Sequence, residues 1–215
     1  MDGTILFADL AGFTALTEAH GDEDAADLAE RFYALARTAL EGEARLVKTI
    51  GDAVLVVGDT SSRVMSATLR LVQAAESEPG FPALRAGLHA GPVTERGGDV
   101  FGATVNVAAR VAAHARAGQI LCTAPVAKAI AGLDHLRLQS IGAVQFKNVV
   151  EAVELFELVY GDDPPGRDVV DPVCRMRVDP AKARARLEID GQTFFFCSST
   201  CEQAFARAPV SYRRG

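Results

Sequence analysis

The hydrophobic pattern over the first three quarters of the chain alternates between two periods. Short apolar runs bounded by glycine or aspartate predict β-strands, and longer stretches with apolar residues three or four positions apart predict helices. The predicted strands lie at 4–8, 44–57 (a pair folded about Gly51–Asp52), 84–90, 119–122 and 136–158, and the predicted helices lie between 12 and 42 and at 61–76, 104–116 and 125–130. Because hairpins sit between crossover helices, we expect an α+β sheet with its helices on one face.

The pattern changes after residue 160. The segment 161–168 combines glycine, aspartate and the Pro164–Pro165 pair, a composition typical of a linker. The chain beyond this segment is short, yet it holds three of the four cysteines and five of the fourteen Phe and Tyr residues. We therefore predict a large domain at 1–160, a linker at 161–168 and a small module at 169–215.

The formal net charge of -6 is unevenly divided between these parts. Residues 167–215 carry nine Lys or Arg and six Asp or Glu, a net of +3, which leaves -9 for residues 1–166. This acidity argues against a nucleic-acid partner. The longest aliphatic runs are of strand length, far below the roughly 20 residues of a membrane span, and no secretory signal precedes the first strand. We expect a cytoplasmic protein without a membrane partner.

Four polar residues are candidates for binding a metal ion or a phosphorylated substrate. Asp9 and Asp52 each lie beside glycine near an apolar strand, and such carboxylates can hold Mg²⁺ together with substrate phosphates. An aspartate in such a position, taken alone, is more often a turn residue. Asn106 and Arg110 are four positions apart in a predicted helix and therefore share a face, which suits an anionic sugar phosphate. Alone, that pair would also fit a solvated helix face.

Four motifs carry a resemblance to a known family. They are Phe-Ala-Asp-Leu-Ala-Gly-Phe-Thr at 7–14, Lys-Thr-Ile-Gly-Asp-Ala at 48–53, Gly-Leu-His-Ala-Gly at 87–91 and the segment 99–110. In this order, over about 160 residues, they resemble the class III nucleotidyl cyclase catalytic domain. The resemblance implies a ferredoxin-like βαββαβ core and a head-to-tail homodimer with two active sites in the groove between the subunits.

The resemblance also implies catalytic roles. Asp9 and Asp52 match the two aspartates that bind two Mg²⁺ or Mn²⁺ ions per active site. Asn106 and Arg110 match the residues that orient the ribose and stabilise the transition state, in which charge develops on the α-phosphate under attack by the ribose 3′ hydroxyl. The family places the metal carboxylates on one subunit and the remaining site residues on its partner, so a monomer would hold two half-sites.

Two further pairs are predicted to contact the substrate. Lys48 and Asp99 match the family's adenine-selecting pair: adenine offers an acceptor at N1 and a donor at its amine, whereas guanine reverses both groups and would favour Glu in place of Lys48. We therefore predict ATP as the substrate. Gly12 and Phe13 follow Asp9 and open a helix, where free backbone amides can receive the polyphosphate.

Together these features predict an adenylate cyclase that converts ATP to 3′,5′-cyclic AMP and pyrophosphate and acts in signal transduction. The alternative is a catalytically weak nucleotide-binding or metal-sensing protein that uses the cyclase fold as a dimer scaffold; the complete polar set counts against it. The stretch 97–100, Gly-Gly-Asp-Val, also partly resembles the loop of diguanylate cyclases, but Val100 replaces the required acid.

The small module has a second set of motifs. These are Asp-Pro-Val-Cys-Arg-Met at 171–176 and Phe-Phe-Phe-Cys-Ser-Ser-Thr-Cys at 194–201. They resemble the YHS domain, a treble-clef-like module of heavy-metal handling proteins, with Arg175 where glycine is common. Cys174, Cys197 and Cys201 would suit a soft or borderline ion such as Zn²⁺ or Cu⁺. Two metal-free interpretations stay open, a disulfide between Cys197 and Cys201 and a fold held by aromatic side chains.

The sequence does not indicate a histidine ligand for the small module. The tail contains none, so a fourth ligand would have to be Met176, water, a carboxylate or another chain. The histidines of the chain, His20, His89, His114 and His135, are far apart in sequence and form no helical metal-ligand pair. We expect them to be solvated or core side chains.

Overall fold

The computed structural model describes residues 2–133, 136–160 and 169–212. The elements in chain order are β1 (Asp2–Leu10), α1 (Phe13–His20), α2 (Asp22–Leu40), β2 (Arg45–Ile50), β3 (Ala53–Gly58), α3 (Ser61–Ser77), β4 (Leu84–Pro92), β5 (Thr94–Arg96), β6 (Asp99–Phe101), α4 (Ala103–His114), β7 (Ile120–Thr123), α5 (Ala124–Ile130), β8 (Arg137–Val144), β9 (Val153–Val159), β10 (Val169–Val170), β11 (Arg177–Val178), β12 (Ala185–Ile189), β13 (Gln192–Phe196), α6 (Ser199–Arg207) and α7 (Pro209–Tyr212). Among these residues, no helix has both the length and the apolar character needed to cross a bilayer.

A seven-stranded sheet contains the predicted βαββαβ core. Its order is β2-β3-β1-β4-β7-β9-β8, and the first four strands pair antiparallel, which is the ferredoxin-like arrangement. β7 joins β4 in parallel, and β9 and β8 complete the sheet as antiparallel neighbours. β1 is therefore central, and near its end Asp9 lies between Ala53 of β3 and Arg85 of β4.

Both faces of this sheet are covered by helices. Leu6 faces the cluster that α2, α3 and α5 complete, whereas its neighbour Ile5 faces the other side and packs in a cluster with Ala108 of α4. A Cβ added at Gly87 would lie 2.1 Å from the backbone nitrogen of Ala112, so α4 rests directly on β4. The expectation of helices on one face is thus wrong. Helical periodicity marks an apolar stripe but does not say which face of a sheet it meets.

The predicted helical stretch between 12 and 42 is divided into α1 and α2. The division lies at Gly21, whose φ of +95° is open to glycine and costly for other residues. Three acids in the first turn of α2 complement the positive end of its dipole. As a result His20 is the last residue of α1.

The small module consists of a two-stranded knuckle, a hairpin and a helix, in treble-clef order. Cys174 lies in the turn between β10 and β11, Cys197 follows β13, and Cys201 lies in the first turn of α6. The hydroxyl of Ser198 caps this helix by accepting a hydrogen bond from the N–H of Cys201 (3.2 Å). Fully buried Phe205 packs against the hairpin, so the module has a small aromatic core.

Candidate active site and cysteine cluster

The two predicted metal-binding aspartates lie together at the end of the central strand. Asp9 follows the apolar residues 5–8 of β1. Asp52 lies in the β2–β3 turn, and its backbone carbonyl accepts a hydrogen bond from the N–H of Leu10 (3.2 Å). Burial raises the pKa of each carboxyl, and the charge of Asp52 raises the pKa of Asp9 further. Paired, partly buried carboxylates of this kind are a donor set that fits Mg²⁺ or Mn²⁺.

Arg85 is a member of this site that the sequence analysis missed. Its Nε donates a hydrogen bond to Oδ1 of Asp9, and its charge lowers the pKa of both Asp9 and Asp52, against the effect of burial. Asp9 and Arg85 are direct cross-strand partners. The signal was an arginine near the start of a largely apolar strand, but its meaning depends on the register of β1 against β4, which no local motif specifies.

The predicted polyphosphate loop lies between β1 and α1. Gly12 has a φ of +72°, and its carbonyl accepts the hydrogen bond from Leu16 that begins α1 (2.9 Å). The loop also touches the small module, because a Cβ at Gly12 would lie 2.6 Å from Cγ of Arg175. Phe13 is the first residue of the helix.

The structure brings Lys48 and Asp99 into direct contact. Nζ of Lys48 on β2 lies 2.5 Å from Oδ2 of Asp99 at the start of β6. The hydrogen bond from Lys48 is the main cause of the lowered pKa of the Asp99 carboxyl, and the N–H of Val100 donates to its other oxygen (2.8 Å). Both side chains are partly exposed, so the nucleobase of a substrate could reach them.

Asn106 and Arg110 share one face of α4, as their spacing predicts. They line an open hollow of about 390 Å³ whose other walls come from α4 and the segment 147–149. Lys147, one of four lysines in the chain, adds a second cation to this hollow and was not singled out from the sequence. Within the described part of the chain, no hydrogen bond or ion pair joins this group to Asp9 or Asp52.

The three cysteines of the module converge on a histidine from the large domain. Sγ of Cys197 lies 3.3 Å from Sγ of Cys174 and 3.7 Å from Sγ of Cys201, and all three thiols are free. Nε2 of His20 lies 3.5 Å from Sγ of Cys197 and 3.9 Å from Sγ of Cys201. The expectation of a solvated or core side chain is therefore wrong for His20, which lies where a fourth ligand could bind and which the sequence analysis did not consider for this role.

A buried carboxylate holds the cysteine loops in place. Asp171 is fully buried and accepts hydrogen bonds from the N–H groups of Val173 and Cys197, each at 2.8 Å. Hydrogen bonds from the thiols of Cys174 and Cys197 lower the pKa of Cys201, so negative charge is favoured on that sulfur. The knuckle and the hairpin are thus joined by Asp171 without the help of a ligand.

Two other histidines agree with the expectation. His89 is half-buried, and its Nδ1 lies 2.7 Å from Oγ1 of Thr123. His114 is exposed at the end of α4 and packs edge-on against Phe146. His135 lies outside the described residues.

The knuckle is joined to the large domain by backbone hydrogen bonds. The N–H of Ala83 donates to the carbonyl of Arg175 (3.1 Å), and the N–H of Arg177 donates to the carbonyl of Phe81 (3.3 Å). Arg175 has a φ of +60°, a conformation that glycine adopts more readily and that agrees with the glycine expected here from the resemblance. Its side chain is the one that covers Gly12.

Two family models match the chain. Residues 2–157 match the adenylate and guanylate cyclase catalytic domain, and residues 169–215 match the YHS domain.

Individual relatives and a solved structure are also similar to the chain. A pH-sensitive adenylate cyclase of Mycobacterium tuberculosis is 36% identical over 161 residues, which are 74% of this chain and 41% of that protein, so the chain spans less than half of its relative. A copper-transporting P-type ATPase of Rhizobium leguminosarum is 47% identical over 44 residues, 20% of this chain and 5% of the ATPase. The solved adenylate/guanylate cyclase/hydrolase of Silicibacter pomeroyi superposes with a TM-score of 0.66 at 27% identity, over 75% of this chain and 98% of that one.

Proposed function

Because the chain belongs to the family of adenylate and guanylate cyclase catalytic domains and carries a YHS domain after it, we propose that it is an adenylate cyclase. It converts ATP to 3′,5′-cyclic AMP and pyrophosphate. We assign residues 1–160 to the catalytic domain, 161–168 to a linker and 169–215 to the YHS domain.

The contact between Lys48 and Asp99 is the observation that carries the choice of ATP. The ammonium can donate to N1 of adenine, and the carboxylate can accept from the exocyclic amine. The lowered pKa of Asp99 keeps its carboxyl ionised, as the acceptor role requires. Guanine presents the opposite groups, so two polar groups would be left mismatched, which costs affinity.

The carboxylates of Asp9 and Asp52 supply the acidic half of the site. They would hold Mg²⁺ or Mn²⁺, which when bound makes the ribose 3′ hydroxyl more acidic and neutralises the leaving pyrophosphate. Arg85 balances part of their charge and fixes Asp9 in one orientation. Gly12 precedes α1, and the free backbone amides at the start of this helix would receive the polyphosphate.

Asn106 and Arg110 supply the other half. Asn106 orients the ribose, and the Arg110 guanidinium stabilises the charge that develops on the α-phosphoryl oxygens. We propose that these residues act with Asp9 and Asp52 of a second subunit in a head-to-tail homodimer. Exposed Ile50 and Phe101, beside Asp52 and Asp99 in sequence, are apolar surface that a partner subunit would cover.

The base assignment is tested by comparing ATP and GTP turnover in the wild type and in Lys48→Glu. We expect the wild type to prefer ATP, and the variant to lose about 100-fold or more in kcat/KM for ATP, because one member of the pair is reversed. Lys128→Glu, an exposed charge reversal on α5, is the matched control and should keep both values.

Each result bears on a different part of the proposal. Preferential GTP turnover by the wild type would overturn the base assignment while preserving the cyclase assignment. Failure to turn over either nucleotide with Mg²⁺ or Mn²⁺ would favour the alternative, a nucleotide-binding or metal-sensing protein on a cyclase scaffold.

A further inference from the structure

The spacing of four side chains at the boundary between the domains matches a closed tetrahedral metal site. With Zn–S bonds of about 2.3 Å and Zn–N bonds of about 2.0–2.1 Å, tetrahedral geometry places two sulfurs about 3.8 Å apart and sulfur and nitrogen about 3.6 Å apart. Sγ of Cys197 lies 3.3 and 3.7 Å from the sulfurs of Cys174 and Cys201, and Nε2 of His20 lies 3.5 and 3.9 Å from the sulfurs of Cys197 and Cys201. All four ligand atoms lie within 4.8 Å of one another.

We propose that His20 of the catalytic domain completes a Zn²⁺ site with Cys174, Cys197 and Cys201, so that the ion joins the two domains. Three sulfurs and one imidazole nitrogen form a Cys₃His set, which is typical of structural zinc. Cu⁺ would be satisfied by the cysteines alone, whereas the fourth ligand at tetrahedral spacing favours Zn²⁺. This assignment does not depend on the cyclase reaction.

The surroundings keep the cysteine loops in position without the metal. Asp171 bonds to the backbone of both cysteine loops, and Cys201 is fixed by the first turn of α6. Arg175 supplies a positive charge near Cys174, which offsets part of the negative charge of three thiolates around a dication. Little reorganisation is therefore needed when the ion binds.

The position of His20 connects the ion to the nucleotide loop. His20 ends α1, the eight-residue helix whose other end carries Gly12 and Phe13. The module touches the same loop at Gly12 through Arg175. A metal bond to His20 therefore adds to the attachments made by Arg175, by the backbone pairing with residues 81–83 and by the ion pair between Arg177 and Glu76 (3.3 Å). With it, α1 is held at both ends.

Zinc binding is tested first with the reduced full chain. We expect one Zn²⁺ per chain by elemental analysis, and a tetrahedral thiolate spectrum when Co²⁺ replaces it. His20→Gln should weaken Zn²⁺ binding by at least about tenfold, since even outer partners of a metal site contribute this much. His20→Cys should restore tight binding. His114→Gln and Cys122→Ala, which alter a histidine and a cysteine outside the cluster, are the matched controls.

The outcomes separate the possibilities. Absence of Zn²⁺ and Co²⁺ binding by the reduced wild type would overturn the site. Unchanged metal affinity and an unchanged Co²⁺ spectrum in His20→Gln would overturn the role of His20. Tight Cu⁺ binding that depends on the three cysteines but not on His20, with weak Zn²⁺ binding, would overturn the choice of metal. Circular dichroism establishes that each variant is folded.

The joining of the domains has a separate readout in amide hydrogen exchange. Adding Zn²⁺ should slow exchange in α1 as well as in α6 of the wild type, and in α6 more than in α1 of His20→Gln. Protection confined to residues 169–212 in the wild type would show that the ion belongs to the module alone. Neither measurement uses nucleotide turnover, so this proposal and the proposed reaction fail independently.

Discussion

Individual polar residues take their properties here from the strand positions that they occupy. Asp9 and Arg85 interact because they are opposite each other on neighbouring strands. His89, a basic side chain, also depends on its place in the sheet. It is half-buried on β4, and its Nδ1 is within hydrogen-bond distance of the hydroxyl of Thr123. Burial lowers the pKa of His89 from its ordinary value of 6.5.

This shift predicts a pH-dependent contribution of His89 to stability. Below pH 6.5 the unfolded chain takes up a proton at His89 before the folded chain does, so the free energy of unfolding falls as the pH drops from 6.5 to the lower folded pKa. In His89→Asn, whose amide can still meet Thr123, this part of the decline should be lost. Urea denaturation of both proteins between about pH 5 and 8.5 measures it.

The upper end of the range is the internal control for this comparison. Above about pH 7.5 His89 is neutral in both states, and the stability difference between wild type and variant should be constant. A difference that stays constant down to pH 5 would contradict the assigned shift.

At this scale, local motifs identify some residues and not others. Asp9, Asp52, Lys48 and Asp99 stand in short continuous motifs, and the structure brings them into the two expected pairs. His20 lies 154 positions before Cys174, so only the folded chain shows that they meet. The residues around His20 form no motif that predicts a metal ligand.

Among the elements, α4 depends most on a single close approach. A Cβ at Gly87 would meet the backbone nitrogen and Cα of Ala112, at 2.1 and 2.6 Å. These are backbone atoms and cannot rotate away. α4 also carries Asn106 and Arg110, so the distance between this helix and β4 sets the position of the hollow that they line.

Gly87→Ala should therefore destabilise the protein by about 3 kcal/mol, the upper part of the usual range for overpacking. Urea denaturation of the purified variant measures this loss. Gly132→Ala is the matched control, because nothing lies within 4 Å of the added methyl group, and it should change stability by less than about 0.5 kcal/mol. Equal stabilities of the two variants would contradict the packing of α4 on β4.

The sequence patterns predict elements better than their arrangement. The hairpin of β2 and β3 and the helix α3 lie where apolar runs and helical spacing place them, because each pattern is local. The break at Gly21 was missed, since one glycine in a helical pattern is compatible with a continuous helix. The face on which α4 packs depends on its crossing over the sheet, a property of the whole fold.

For the whole molecule, the proposed shared site predicts complementation between inactive variants. Asp9→Ala and Asn106→Ala each remove one half-site residue, and a mixed dimer rebuilds one complete site. Equal amounts of the two proteins should recover about one quarter of the wild-type rate if the subunits mix statistically. Cyclic AMP production after mixing measures the recovery.

The control mixture combines Asp9→Ala with Asp52→Ala. Both changes affect the same half-site, so this mixture should stay inactive. Recovery in the control mixture, or none in the first despite mixed dimers demonstrated by differently tagged subunits, would contradict a site shared between subunits.

The backbone pairing between the segment 81–83 and the knuckle has a consequence for biosynthesis. The catalytic domain leaves the ribosome first, and at about 5–20 residues per second the 44 residues of 169–212 follow over the next several seconds. During this interval the N–H of Ala83 and the apolar surface around Phe81 have no intramolecular cover from the module. Nascent chains that meet at this stage can pair through that surface, so prompt synthesis and docking of residues 169–212 are a condition for a high yield of folded protein.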